Sequence, residues 1–170
     1  MTLSNEDSSA IHACAAAVQA FCDLLDTPPE PEDADGVRLM IALAALHLAA
    51  LRLPHVFDEH EVEVAYERRP LRCLAEWANC VGVGIFYTLF DPLTVLPEEP
   101  GAGDMQDDLD EIHHDLEEGL AAYRAGKVVG AAWLWRFSFY SHWGRHLTDV
   151  QRALHCATCS DAALPRGSGG

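Results

Sequence analysis

The sequence predicts an all-α fold: one helical bundle of about five helices, with an irregular middle segment and a C-terminal antiparallel helix hairpin. Three observations lead there. Apolar residues recur at three- and four-residue steps in the first 26 residues and through the last third, the period of a helix face. Proline-rich segments separate those runs. Only Ile85 to Phe90 is β-branched and aromatic enough to be extended, and no partner run of like character accompanies it, so no sheet is expected. The 170 residues, 49% of them hydrophobic, suit one domain of roughly 100–200 residues and a sizeable core. Residues 1–160 are read as that domain and 161–170 as a flexible small-residue tail.

The first helix follows the polar run from Ser4 to Ser9, which offers several caps, and extends to about Asp26 with Ile11, Cys14, Ala15, Val18, Phe21, Cys22 and Leu25 on one face. A proline-rich acidic connector, Thr27 to Gly36, leads into a second helix from Val37 to about Arg52, stopped by Pro54. That helix is apolar around much of its circumference and is expected to be the most buried. Asp58 to Arg69 reads as a short helix or a linker, Pro70 to Cys80 as a helix, Asp91-Pro92 as a turn and Leu96 to Gly103 as a loop. Asp104 to Ala125 carries Met105, Leu109, Ile112, Leu116, Leu120 and Tyr123 on one stripe, and Gly126 is placed to end it. Lys127 to about Cys156 carries Val129, Ala132, Tyr140, Trp143, Leu147, Val150 and Leu154 on another, so the two form a hairpin.

Charge narrows the function classes. Eleven Lys and Arg against 27 Asp and Glu give a formal charge of −16, which argues against a nucleic-acid or anionic-membrane partner. The amino terminus lacks the basic residues of a secretory signal, and no window reaches 18 uninterrupted apolar residues, so a cytoplasmic protein with six reduced cysteines is expected. Ten acids lie between Glu98 and Glu118 without a Lys or Arg, whereas Arg124 to Arg152 holds five bases and one acid. Opposite signs on the two arms favour their pairing, and a solvated acidic face with surface ion pairs accounts for most of these charges.

A few charges sit elsewhere. At 100° per residue Asp108 and Asp115 fall at the boundary of the apolar stripe, about 70–90° from its centre, while Asp107, Asp110 and Glu118 point away. Arg136 falls near the middle of the apolar face of the last helix, between Ala132, Tyr140 and Trp143. A guanidinium there needs a partner, and Asp108 or Asp115 is expected to supply it through a bidentate bond, unless Arg136 snorkels to the rim. His142 and His146, four apart, share a helix face, with Asp149 three further on. That spacing, combined with Asp108, Glu111 and Asp115, would resemble the carboxylate and histidine metal sites of helical bundles; the plainer reading has the histidines capping carbonyls or stacking on Trp135 and Trp143. Asp108, Asp115, Arg136, His142 and His146 are the candidate buried polar site, and Asp108, Glu111, Asp115, His142 and His146 the candidate ligands of a divalent metal.

Weaker signals read as structural. Cys156-Ala-Thr-Cys159 has the spacing of a zinc or redox pair but lacks a second pair and a strand–helix context. Gly82-x-Gly84 lacks the third glycine of a dinucleotide loop. Gly144, in mid-helix, is expected to let a backbone or an aromatic ring come close.

The run Asp107-Asp-Leu-Asp-Glu-Ile-His-His-Asp-Leu-Glu-Glu-Gly-Leu120, with Ala131 to Phe139, Ser141-His-Trp-Gly-Arg-His146, Ala153-Leu-His155 and the Phe90-Asp-Pro92 segment, resembles the bacterial domain-of-unknown-function family 5063. The likeness is specific over Tyr87 to His155 and general in helix pattern before that. The family's Asp-Asp falls on Asp107 and Asp108, its later Asp on Asp115, its Trp-Arg on Trp135 and Arg136, and its His-Trp-Gly-Arg-His on His142 to His146; His113 stands where a Tyr is expected. The resemblance implies a small helical cytoplasmic protein and no particular activity.

Three functions follow. The first is a binding or regulatory module without catalysis of its own, needing no cofactor and serving a protein partner or small ligand. The second is a metal-dependent hydrolase-like bundle in which metal-activated water is the nucleophile. The third is an acidic inhibitor or immunity-type protein that covers a basic partner.

Overall fold

In a computed structural model of the chain the described residues are 3–81, 86–93 and 99–162, those at 34–35 and 159–162 by backbone alone. Gly82, Gly84 and Ile85, the thiol of Cys159 and the tail from 163 on therefore lie outside the described residues.

Helix α1 (Asn5–Leu25) starts at its own capping box: the Ser4 hydroxyl accepts from the Asp7 N–H at 3.0 Å, and the Asp7 carboxylate accepts from the Ser4 N–H. The seven residues of its expected stripe are the seven it buries. Val18, Phe21 and Leu25 lose all solvent contact, each worth about 1.5–3 kcal/mol. By length and composition α1 could cross a bilayer, yet here its apolar face packs on helices α2 (Val37–Leu51) and α4 (Met105–Arg124). The connector between α1 and α2 forms a 3-10 turn at Pro31–Asp35 and ends at Gly36 in the left-handed region, φ 71°.

One expectation about the first half changes, and one open alternative is decided. Helix α2 is not the most buried element: Leu39, Leu43, Leu46 and Ala50 face the core, while Ile41, Leu48 and Leu51 are more than half exposed. Its residues are apolar on all sides, so composition alone does not reveal which side is covered. Residues 53–71 form an irregular strap, so the linker reading of Asp58 to Arg69 holds, with Leu53 buried and Val56 and Val64 packed against the core. The Glu61 carboxylate plugs the start of helix α5 (Val128–Ser138) by accepting from the Val129 and Gly130 N–H groups at 2.9 and 3.1 Å. Gly130 makes this approach possible, because a Cβ there would lie 2.2 Å from the Glu61 carbonyl oxygen.

Helix α3 (Leu74–Cys80) is shorter than the run from Pro70 suggests, and it buries Leu74, Trp77 and Ala78. Strand β1 (Phe86–Leu89) does pair, against β2 (Gly101–Asp104), antiparallel, with Phe86 opposite Asp104 and Leu89 opposite Gly101. The partner is Gly-Ala-Gly-Asp, which has no β-forming side chain to announce it; Gly103 is there because a Cβ would strike the Tyr87 ring at 2.5–2.7 Å. Strand β2 passes directly into α4, whose N-cap Asp104 accepts from the Gln106 and Asp107 N–H groups.

Helix α4 lies at the centre, packed on α1, α3, α5 and helix α6 (Gly144–Ala162). It buries Met105, Leu109, Ile112, Leu116 and Leu120 as expected, and Gly126 turns the chain at φ 79°. The last arm is one continuous rod, α5, a π-helical turn at Phe139–Trp143 and α6, so helices α1 to α4 and this rod make up the five-helix bundle. Gly119 lets the arms touch: the Trp135 indole lies where a Cβ would be and donates to the Leu116 carbonyl at 2.9 Å. Gly144 does admit both a backbone and a ring, since a Cβ there would meet the Phe139 carbonyl oxygen at 2.3 Å and the Phe139 ring at 2.9 Å.

Candidate functional site

Antiparallel packing of α4 against the rod sets the register of the polar residues. Asp108 and Asp115 are two turns apart on α4, and His142 and His146 are one turn apart across the start of α6. Asp108 Oδ1 lies 2.6 Å from His146 Nδ1, and Asp115 Oδ2 lies 2.9 Å from His142 Nδ1. An ionised carboxylate only accepts, so each imidazole gives its Nδ1 proton to the acid and keeps Nε2 for other uses. The two rings meet edge to face, centroids 4.9 Å apart.

The pairs differ in depth. Side-chain exposure is 10% at Asp108 and 27% at His146, against 15% at Asp115 and 44% at His142. Asp108 has a second partner, the Tyr87 hydroxyl, which donates to it from β1. The hydrogen bond to Asp108 raises the pKa of His146 above its ordinary 6.5, against the opposing effect of burial. Burial, then the bond to Asp108, raises Tyr87 as well, and burial raises Asp149 on the same helix.

Thus four of the five residues of the candidate polar site come together, and Arg136 does not. Its guanidinium reaches the Leu53 carbonyl at 3.4 Å and His55 Nε2 at 2.5 Å, and it lies 4.8 Å over the Tyr140 ring. Among the described residues no carboxylate pairs with it. The expected bond to Asp108 or Asp115 fails because the π turn re-phases the rod. The buried residues run Ala132, Trp135, Phe139, Trp143, Leu147, with three successive four-residue steps. A uniform 100° count averages over that turn and places Arg136 and Tyr140 at the core, whereas Tyr140 is 62% exposed and Arg136 flanks the stripe.

The candidate metal set also divides. Glu111 turns toward Arg68 of the strap, 3.9 Å away, and the same guanidinium binds Asp110. Among the described residues no group of three or more His, Cys, Asp or Glu is disposed to hold a metal ion. What remains is a pair of imidazoles whose carboxylate-anchored Nδ1 atoms match the outer-shell arrangement of ligating histidines. Cys14 and Cys22 lie in the buried face of α1 and Cys73 is buried beside α3, and burial pushes the Cys14 thiol up to about 12.

Helix α4 carries a second charged cluster on its other flank. Buried Glu117 binds Arg69 of the strap and accepts from the Tyr66 hydroxyl at 3.2 Å. Beside it His113 is almost wholly buried, its Nε2 4.0 Å from Glu117 and without a hydrogen-bond partner among the described residues. Burial lowers its pKa.

The outer side of α5 carries a pocket that helix periodicity did not suggest. It has a volume of about 490 Å³. Phe57, Trp133, Phe137 and Tyr140 line it, with Arg136 and His55 on one wall. The Trp133 and Phe137 rings stack with centroids 4.9 Å apart and planes 8° from parallel, and Phe57 tilts onto Trp133 at 5.3 Å. The available signal was the aromatic spacing 133, 137, 140, one face of a helix and distinct from the buried stripe through Trp135 and Phe139. Phe57 and His55, on the strap, had no such signal.

A small α-helical bundle with carboxylate–histidine clamps between its central helix and its C-terminal rod is the class these features define. The family model for the DUF5063 domain of unknown function matches residues 5–160, and the chain belongs to that family. Its fold is similar to the crystal structure of protein BF1032 from Bacteroides fragilis, with a TM-score of 0.60 and 16% identity over 95% of this chain and 96% of that one. A search of the curated proteins found no match.

Proposed function

We propose that this protein is a binding module without catalysis of its own, and that its ligand enters the aromatic pocket on α5. The observation that carries this reading is the pocket itself. About 490 Å³ of concave space is walled by aromatic rings with few polar groups, which is the composition of a small-molecule site. The carboxylate–histidine pairs, on this reading, are clamps. Each spans α4 and the rod, and the deeper one also ties in β1 through Tyr87. We also place the protein in the cytoplasm, a reading supported by the thiols of Cys14, Cys22, Cys73 and Cys80, which are free among the described residues.

Titration with naphthylethanol and naphthylacetate, followed by tryptophan fluorescence and calorimetry, tests the reading. It predicts saturable binding of at least one of them, lost in Trp133→Ala and weakened in Tyr140→Ser, with the far-ultraviolet spectrum unchanged. Binding of neither compound, or equal binding by both variants, contradicts it. The hydrolase-like alternative keeps one supporting feature, the two imidazoles with Nε2 held away from their carboxylates. Stoichiometric uptake of Zn²⁺ or Mn²⁺ that disappears in His146→Ala would establish a metal there.

A further inference from the structure

We infer that the ligand of the α5 pocket is a small amphipathic organic anion, an aromatic or bulky aliphatic carboxylate whose acid group pairs with Arg136 while its apolar body lies on Trp133, Phe137 and Tyr140. This rests on the binding-module reading above and adds the chemical class of the ligand.

The charge of the pocket carries the inference. Of the described residues that line it, Arg136 alone has a permanent charge, and no acid is among them. Among the described residues no carboxylate partners Arg136, although the chain has 27 Asp and Glu against 11 Lys and Arg. A cation beside an apolar wall has lost part of its hydration, and only an anion restores the balance fully. Arg136 engages the Leu53 carbonyl through one terminal nitrogen and His55 through the other. A guanidinium has five N–H donors in a planar fork, so donors remain for the two oxygens of a carboxylate.

The group is also held in place. The Tyr140 ring lies beneath it at 4.8 Å, and the Leu53 and His55 contacts fix it from the strap side. A guanidinium only donates, so His55 Nε2 accepts from it and the imidazole carries its proton on Nδ1. A fixed cation at the edge of a stacked Trp–Phe surface suits a ligand that is charged at one end and flat or apolar at the other. The volume, about 490 Å³, admits a molecule of one or two rings and is too small for a folded partner.

The net charge of −16 does not oppose this. At physiological ionic strength the Debye length is about 8 Å, so a small anion beside Arg136 feels chiefly the local cation. The surrounding stretch from Arg124 to Arg152 is the basic part of the sequence.

Calorimetric titration with naphthylacetate and with its neutral near-isostere naphthylethanol, at about 150 mM salt, separates the two layers of the proposal. The expected result is one site per chain with the acid bound at least about ten-fold more tightly than the alcohol. Arg136→Met, which keeps the apolar stem, should abolish that preference while leaving the alcohol's affinity within about two-fold; Arg136→Lys should retain part of it. Equal binding of acid and alcohol by the natural chain, or an undiminished preference in Arg136→Met, overturns the anion inference and leaves the pocket reading standing. Binding of neither overturns both. Thermal denaturation of each variant without ligand confirms that folded proteins are being compared.

Discussion

The two sides of the C-terminal rod treat charge in opposite ways. Toward α4, His142 and His146 each meet a carboxylate at hydrogen-bond distance. Toward solvent, Arg136 meets a carbonyl, an imidazole and the face of a tyrosine. Acids are plentiful one helix away, so the absence of a carboxylate beside Arg136 is a matter of rotation. The π turn at Phe139–Trp143 shifts the phase of the rod between Arg136 and His142, and the two groups end on different faces. A local change in helix type thus decides which side chains of the rod meet a carboxylate and which do not.

The most disruptive way to break the comparison is to remove the space the turn needs. Gly144→Ala should gain helix propensity of about 1 kcal/mol, yet the Cβ would sit 2.3 Å from the Phe139 carbonyl oxygen. We expect a net loss of about 2–3 kcal/mol in chemical denaturation; a stabilised variant would mean that the π turn is not anchored there. Asp108→Ala comes next. It leaves the Tyr87 hydroxyl and His146 without their acceptor in a mostly buried place, at a cost of about 2–3 kcal/mol, whereas Asp115→Ala, whose partner is half exposed, should cost less than about 1 kcal/mol. Equal losses at the two positions would show that depth does not rank the clamps.

The pH dependence sharpens a second contrast, between the histidines on the two flanks of α4. His146 has a folded pKa above 6.5, so its contribution to stability is complete below about pH 6.5 and fades as pH rises through the folded value. His113, buried and neutral, has a folded pKa below 6.5, and its contribution is present above that pH and fades on acidification. The two oppose each other in one window. Asp108→Asn, which removes the support for charged His146, should therefore make the protein lose stability between pH 7 and pH 5.5 more steeply than the natural chain does. Parallel melting profiles for the two proteins would contradict the assignment. The smallest effect is expected at Arg136: Arg136→Met should change unfolding free energy by less than about 1 kcal/mol, because no buried carboxylate is left without its cation. A loss of 3 kcal/mol or more, about the cost of breaking a buried pair, would show an acid partner after all.

Much of this was legible in the sequence where periodicity is clean. The stripe of α1 and the spacing of Asp108, Asp115, His142 and His146 follow from 3.6 residues per turn, and the structure joins those four polar residues in two pairs. Three features lay beyond such counting for separate reasons. The π turn adds rotation that no single residue marks, although Gly144 is the residue it requires. Strand β2 is built of Gly-Ala-Gly-Asp, chosen by what the Tyr87 ring leaves room for and not by β propensity. The strap over 53–71 has neither period, and its Glu61, Tyr66, Arg68 and Arg69 find their places only through contacts with α4 and α5 that are distant in sequence.

Of the four tryptophans, Trp77, Trp135 and Trp143 are wholly buried and Trp133 alone lines the pocket. A proton–nitrogen correlation spectrum recorded during titration with naphthylacetate would report each indole N–H separately. The account predicts that the Trp133 resonance moves, saturably, while the other three indoles and the His142 and His146 ring signals stay in place. Movement of the histidine rings with Trp133 unmoved would put the ligand on the clamps and contradict it.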